Sequence, residues 1–128
     1  MSEKQEKILI LADRANRDLS TAAVLMDNKD HEYHSSSICF HCQQCIEKYL
    51  KTFLIYKEVA APRTHDLLYL SALCSDFDDH FKSFDLTDFS SYGVGIRYDE
   101  PPPTTSDAIQ AFEVAKIVAE YVKTKVLI

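Results

Sequence analysis

Along residues 3–26, apolar side chains recur at Ile8, Ala12, Ala15, Leu19, Ala22 and Met26, the spacing of a single helix face, while charges fill the other side. Glu3 with Lys7, Asp13 with Arg17 and Arg14 with Asp18 stand four residues apart. Opposite charges at that spacing support a helix by about 0.2–0.5 kcal/mol per pair. A polar, turn-like stretch over residues 28–32 separates this helix from a second, predicted from Tyr33 or His34 to Lys57. There the apolar stripe is wide. Ile38, Cys42, Cys45, Tyr49 and Phe53 form one row and Ile46, Leu50 and Leu54 a second beside it, so this helix is expected at the centre of the fold.

Ala60, Ala61 and Pro62 are expected to end the second helix, because proline biases the residue before it away from helical geometry. Thr64 is positioned to cap a third helix over residues 65–74, with Leu67, Leu70 and Leu73 on its buried side. Residues 75–92 mix phenylalanines with aspartates and read as short, irregular helix. GVGIRYDEPPPTT, residues 93–105, reads as a loop, its three prolines forcing an extended backbone. A last helix should follow, capped by Ser106 or Asp107, with Asp107 and Gln110 at capping-box spacing. Ala108, Phe112, Ala115, Ala119, Val122 and Val126 mark its buried face. No strand pattern competes. The expectation is an all-α fold, an antiparallel up-and-down bundle of about five helices in one domain over residues 1–128.

Composition narrows the function. With 128 residues, 46% hydrophobic and 27% charged, the chain can bury a core without disulfides or a structural metal. No apolar run is long enough for a membrane helix, and the N-terminal stretch lacks the pattern of a signal peptide, so a cytoplasmic location is expected. In that compartment the four cysteines are expected to be reduced thiols. A net charge of −6 argues against a sequence-independent DNA binder and requires any nucleotide site to be local.

CFHCQQCIEKYLK, residues 39–51, spaces three cysteines by three around a histidine, which invites a metal-site reading. Helical geometry opposes it: Cys39, Cys42 and Cys45 climb about 1.5 Å per residue, and the outer two are too far apart to share an ion. His41 or Cys74 could complete a pair, but the paired second knuckle of a structural zinc site is absent from the sequence. We therefore expect no metal and no cofactor, and assign Cys42 and Cys45 to the core. His31-Glu-Tyr-His34 lacks the zinc-protease spacing, Asp76-Phe-Asp-Asp79 lacks the glycine and glutamate of a calcium loop, and Gly93-Val-Gly95 lacks the third glycine of a dinucleotide loop.

The polar residues that packing leaves over are more informative. Gln44, Glu47, Lys48 and Lys51 share one face of the second helix, which is either a solvated face or a binding surface. His65 lies at a helix start, where backbone N–H groups favour anions or simply accept a cap. Arg97 and Tyr98 pair a phosphate-binding fork with a ring on which a base could stack, or form a structural ion pair.

HCQQCIEKYLKTFL, residues 41–54, resembles the second-helix signature of HEPN domains of the nucleotidyltransferase-associated and sacsin type. The other parts follow in the family's order: Ala15 to Leu19 before it, then PRTHDLLYL at 62–70, IRYDEPPP at 96–103 and DAIQAFEVA at 107–115. The resemblance implies a helical bundle, a homodimer with its cleft near the subunit interface, and a minimal nucleotidyltransferase partner, in some members as half of a toxin–antitoxin pair. Its ligand would be a nucleotide or RNA, held by Lys48, Lys51, His65, Arg97, Tyr98, Gln44 and Glu47. Catalytic members are metal-independent RNases that use an arginine followed four to six residues later by histidine. Arg97 could match the arginine, but residues 102–104 are Pro, Pro and Thr and no histidine follows. Cleavage without metal needs groups to take and give protons, which arginine does not supply. A non-catalytic binding module is therefore expected. The alternatives are an RNase built on Arg97 and His65, and a structural interaction protein with no small ligand.

Overall fold

The computed structural model describes residues 1–91 and 101–128. Among them are four α-helices and no strand: α1 (Glu3–Asp27), α2 (Ser35–Tyr56), α3 (Leu67–Ser75) and α4 (Thr105–Val126). The all-α expectation holds. The stretch expected to form short, irregular helix consists of two 3₁₀ segments, Asp79–Ser83 and Thr87–Ser91, so the α-helices number four where about five helices were expected. Local side-chain bonds explain the difference. Asp78 accepts from the His80 backbone N–H and Asp85 from that of Thr87, so the aspartates hold turns where a longer helix would otherwise propagate.

The first helix begins in a capping box: the Gln5 N–H donates to Ser2 Oγ and the Ser2 N–H to the Gln5 side chain. Its buried positions are Ile8, Ala12, Ala15 and Ala22, with Leu19 and Met26 partly buried against the core, the stripe seen in the sequence. Three of the four fully buried residues are alanines, which lets α1 lie close against α2. The two helices run antiparallel. Lys4 reaches Glu58 at 3.5 Å at one end, and Asp18 reaches His41 at 2.9 Å at the other.

Packing makes α2 the central element, in contact with α1, α3 and α4. Ile38, Cys42, Cys45, Ile46, Tyr49, Leu50, Phe53 and Leu54 are all buried. Tyr49 is fully enclosed, and its hydroxyl donates to Asn16 on α1, which satisfies a group that would otherwise be costly to bury. The helix stops earlier than Pro62 requires. Glu58 adopts φ 63°, the Val59 N–H donates to the Leu54 carbonyl and the Glu58 N–H to that of Ile55. This is a Schellman ending, with glutamate where glycine is usual.

Two caps also differ from expectation. Asp66, not Thr64, caps α3 by accepting from the Tyr69 N–H at 3.1 Å, while Thr64 accepts from the Asp66 N–H. The last helix is capped by Thr104, whose hydroxyl accepts from the Asp107 N–H and whose own N–H donates to the Asp107 carboxylate. Asp107 is thus the inner member of the box. Phe81, from the first 3₁₀ segment, closes the core against Phe53 at a centroid distance of 4.5 Å and touches Phe84 and Tyr121.

Candidate functional site

The polar face expected on α2 divides in two. At 100° per residue, Glu47, Lys51 and Gln44 fall within an arc of about 60°, and Lys48 lies at the edge of the face toward α1. Lys48 Nζ donates to Asp18 Oδ2 at 2.5 Å, and His41 Nδ1 meets Asp18 Oδ1 at 2.9 Å. Asp18 thus ties α1 to α2 through both carboxylate oxygens. The sequence spacing had paired Asp18 with Arg14; the structure turns it inward.

The other branch centres on Glu47. Its side chain is only 6% exposed, a setting a carboxylate tolerates when donors surround it. Lys51 Nζ donates to Glu47 Oε2 at 3.2 Å from one turn further along α2. His65, just before α3, places Nδ1 2.8 Å from Glu47 Oε1. A carboxylate oxygen accepts, so the contact is a hydrogen bond in the tautomer that carries its proton on Nδ1. The imidazole is 65% exposed and is therefore held by Glu47 while remaining open to solvent.

Gln43 completes the arrangement. It is buried, donates to Glu47 Oε1 at 3.5 Å and to the His65 carbonyl at 3.4 Å, and accepts from the Gln44 amide at 2.8 Å. The polar face singled out Gln44 and missed Gln43, although Gln43 stands four residues before Glu47. Asp18 was missed as well; its signal is an acidic residue at the edge of an alanine-rich stripe.

The structure therefore brings Gln44, Glu47, Lys51 and His65 together and places Lys48 beside them in the α1–α2 tie. Arg97 and Tyr98 lie outside the described residues. A shallow groove lined by Leu9, Ile10, Asp13, Arg14 and Arg17 runs along the outer face of α1 and contains none of these residues.

The cysteines lie in the core, where Cys74 Sγ donates to the Leu50 carbonyl at 3.5 Å. Cys39, Cys42, Cys45 and Cys74 are all buried. Burial pushes the Cys74 thiol up to about 12, and burial with the nearby Asp18 charge does the same to Cys45. Cys42 is shifted in the same direction by burial first and then by its cysteine neighbours. These groups are protonated thiols at neutral pH, inert as nucleophiles. No group of three or more potential ligand side chains capable of holding a metal ion occurs among the described residues. Nor is any helix among them long and apolar enough to cross a membrane.

The described residues thus form a four-helix core with a buried carboxylate that organises a lysine and an open histidine at the surface. The HEPN domain model matches residues 8–125, and the chain belongs to the HEPN domain family. Comparison with curated proteins and with solved structures returned no match. At the family level this makes the chain a nucleotide- or RNA-related module.

Proposed function

We propose that this HEPN protein binds the phosphates of a nucleotide or RNA at the Glu47–Lys51–His65 cluster and works beside a minimal nucleotidyltransferase as a homodimer. The supporting observation is the buried Glu47 carboxylate, which fixes Lys51 and His65 at 3.2 and 2.8 Å on one patch. Lysine has three donor hydrogens and one points at Glu47, so the others remain for phosphate oxygens. The Gln44 amide, tied to Gln43 by one bond, retains an acceptor and a second donor for a base edge or ribose. Holding these groups before the ligand arrives reduces the ordering cost of binding. Lys48 braces the helix from the α1 side. Arg97 would add a phosphate-binding fork and Tyr98 a ring, as the sequence suggests. The nucleotidyltransferase partner and the dimer follow from what the family resemblance implies.

Calorimetric titration of nucleoside triphosphates and short single-stranded RNAs tests the reading. Wild type should bind. Lys51→Met and Glu47→Gln should each weaken binding by about tenfold, the loss of one charge-assisted contact. Absence of heat with every ligand would remove the proposal.

A second reading has its own observation. A buried carboxylate orienting an exposed imidazole is the arrangement by which enzymes prepare a histidine to take a proton. His65 could then act on a ribose hydroxyl with Arg97 stabilising phosphate charge. Labelled RNA incubated with the protein in chelator separates the two readings: cleavage abolished by His65→Ala would favour the RNase, and intact RNA at high protein concentration would exclude it.

A further inference from the structure

Phe40 is the one large aromatic that α2 turns outward. Tyr49 and Phe53 on the same helix are fully enclosed, whereas Phe40 is 43% exposed. A single exposed aromatic is ordinary on a protein surface. Its register is not. Phe40, Gln44, Glu47 and Lys51 follow one another at intervals of four, three and four residues, so the ring stands on the same line of the helix as the polar cluster. At 1.5 Å rise per residue, Phe40 lies about 10 Å along the axis from Glu47 and about 6 Å from Gln44.

The ring is also braced. It meets the neighbouring His41 ring edge-on, with centroids 5.4 Å apart and planes at 78°. His41 is itself anchored by Asp18 at 2.9 Å. The α1–α2 tie thus holds the aromatic ring from one side, as Glu47 holds Lys51 and His65 further along. Every nucleobase has a π-face that can stack on such a ring without regard to sequence. The offset of about 10 Å to the cluster suits a ligand that carries a phosphate a short extended reach beyond its base.

We propose that Phe40 is the base-stacking platform of this surface, a binding residue that takes an unpaired nucleobase while Lys51 and His65 hold the phosphate and Gln44 lies between. The inference rests on the phosphate-binding reading of the cluster. The shared chemistry is a base joined to a distant phosphate, which either a free nucleoside triphosphate or single-stranded RNA supplies. Stacking is tolerant of base identity, so the site discriminates base-bearing ligands from bare phosphate more than one base from another.

The test is calorimetry on the full chain with ATP, with an unstructured oligoadenylate and with inorganic tripolyphosphate, comparing wild type, Phe40→Leu and Phe40→Trp. Leucine keeps apolar bulk and removes the π-face; tryptophan enlarges it. Phe40→Leu should weaken the base-bearing ligands by about tenfold. Phe40→Trp should bind them at least as well as wild type, and tripolyphosphate should bind all three proteins alike. Dependence on Phe40 with ATP identifies a free nucleotide as the ligand, and dependence with the oligonucleotide identifies RNA. Equal affinity of wild type and Phe40→Leu for both base-bearing ligands overturns the inference and leaves the phosphate site standing. Failure of wild type to bind any of the three overturns both together.

Discussion

Asp18 and Lys48 lie thirty residues apart in sequence and meet at 2.5 Å across the α1–α2 interface, both largely screened from solvent. The same carboxylate takes His41, so removing it strands a lysine and an imidazole at once. Asp18→Ala should destabilise the fold by about 2 kcal/mol, the scale of leaving partly buried donors without an acceptor. Lys48→Met should cost less, because its removal leaves Asp18 with His41. A double-mutant cycle read by urea unfolding should show coupling of about 1 kcal/mol or more between them. Additive effects would mean that solvent already screens the pair.

Glu58 ends α2 in the left-handed region, with φ 63°. A side chain there crowds the following carbonyl, and glycine does not. Glu58→Gly should therefore stabilise the protein by about 0.5–1 kcal/mol even though it removes the exposed pair with Lys4, which contributes little. The midpoint of thermal unfolding should rise by a few degrees. An unchanged or lower midpoint would show that the freedom glycine gains in the unfolded chain outweighs the relief of crowding.

These two sites show which parts of the molecule the sequence made legible. The stripes of α1, α2 and α4 could be read because helical period and burial coincide, and the same alanines and paired apolar rows reappear in the core. Residues 75–91 read as short, irregular helix for a related reason: their aspartates, Asp78 and Asp85 among them, take backbone N–H groups and keep the two 3₁₀ segments short. Caps were ambiguous where several capping residues stand in a row, as at Thr104, Thr105, Ser106 and Asp107. At the candidate site, Gln44, Glu47, Lys51 and His65 were recognisable as polar residues in excess of packing. Their pairing was not, since Glu47 and His65 are joined only when α3 folds back beside α2. Asp18 was hidden by an equally good local partner.

The buried thiols make stability sensitive to alkali. Burial raises Cys45 and Cys74 to about 12 from an ordinary value of 9.0. The folded state therefore holds these protons more tightly than the unfolded state. Their contribution is fully present below about pH 9 and is lost as pH rises toward 12. Urea midpoints should fall through that window, and the fall should be shallower in Cys74→Ala, after allowing for its general loss of packing. Thiol-directed reagents should label native protein slowly and denatured protein at once. Fast labelling of Cys45 or Cys74 in native protein would contradict this account.

At acid pH the decisive pair is Tyr121 and Asp78. The Tyr121 hydroxyl donates to the Asp78 carboxylate and holds its pKa below the ordinary 3.8, assisted by the His80 backbone N–H and the Lys125 charge. A carboxylate with a depressed folded pKa stabilises the fold above its unfolded value and loses that contribution as pH falls through the folded one. The same contact, after burial, pushes Tyr121 up to about 12. His80 stacks on the Tyr121 ring with centroids 4.1 Å apart, so the hydroxyl is held in place by packing as well as by the bond. Tyr121→Phe keeps the stacked ring and deletes only the donor. It should destabilise the protein by about 1 kcal/mol at neutral pH. The difference from wild type should shrink as pH drops below 3.8, because protonation of Asp78 removes from wild type what the substitution has already removed. Urea unfolding of both proteins between neutral and strongly acid pH measures this directly, and a difference that stayed constant across the range would locate the stabilisation in ring packing.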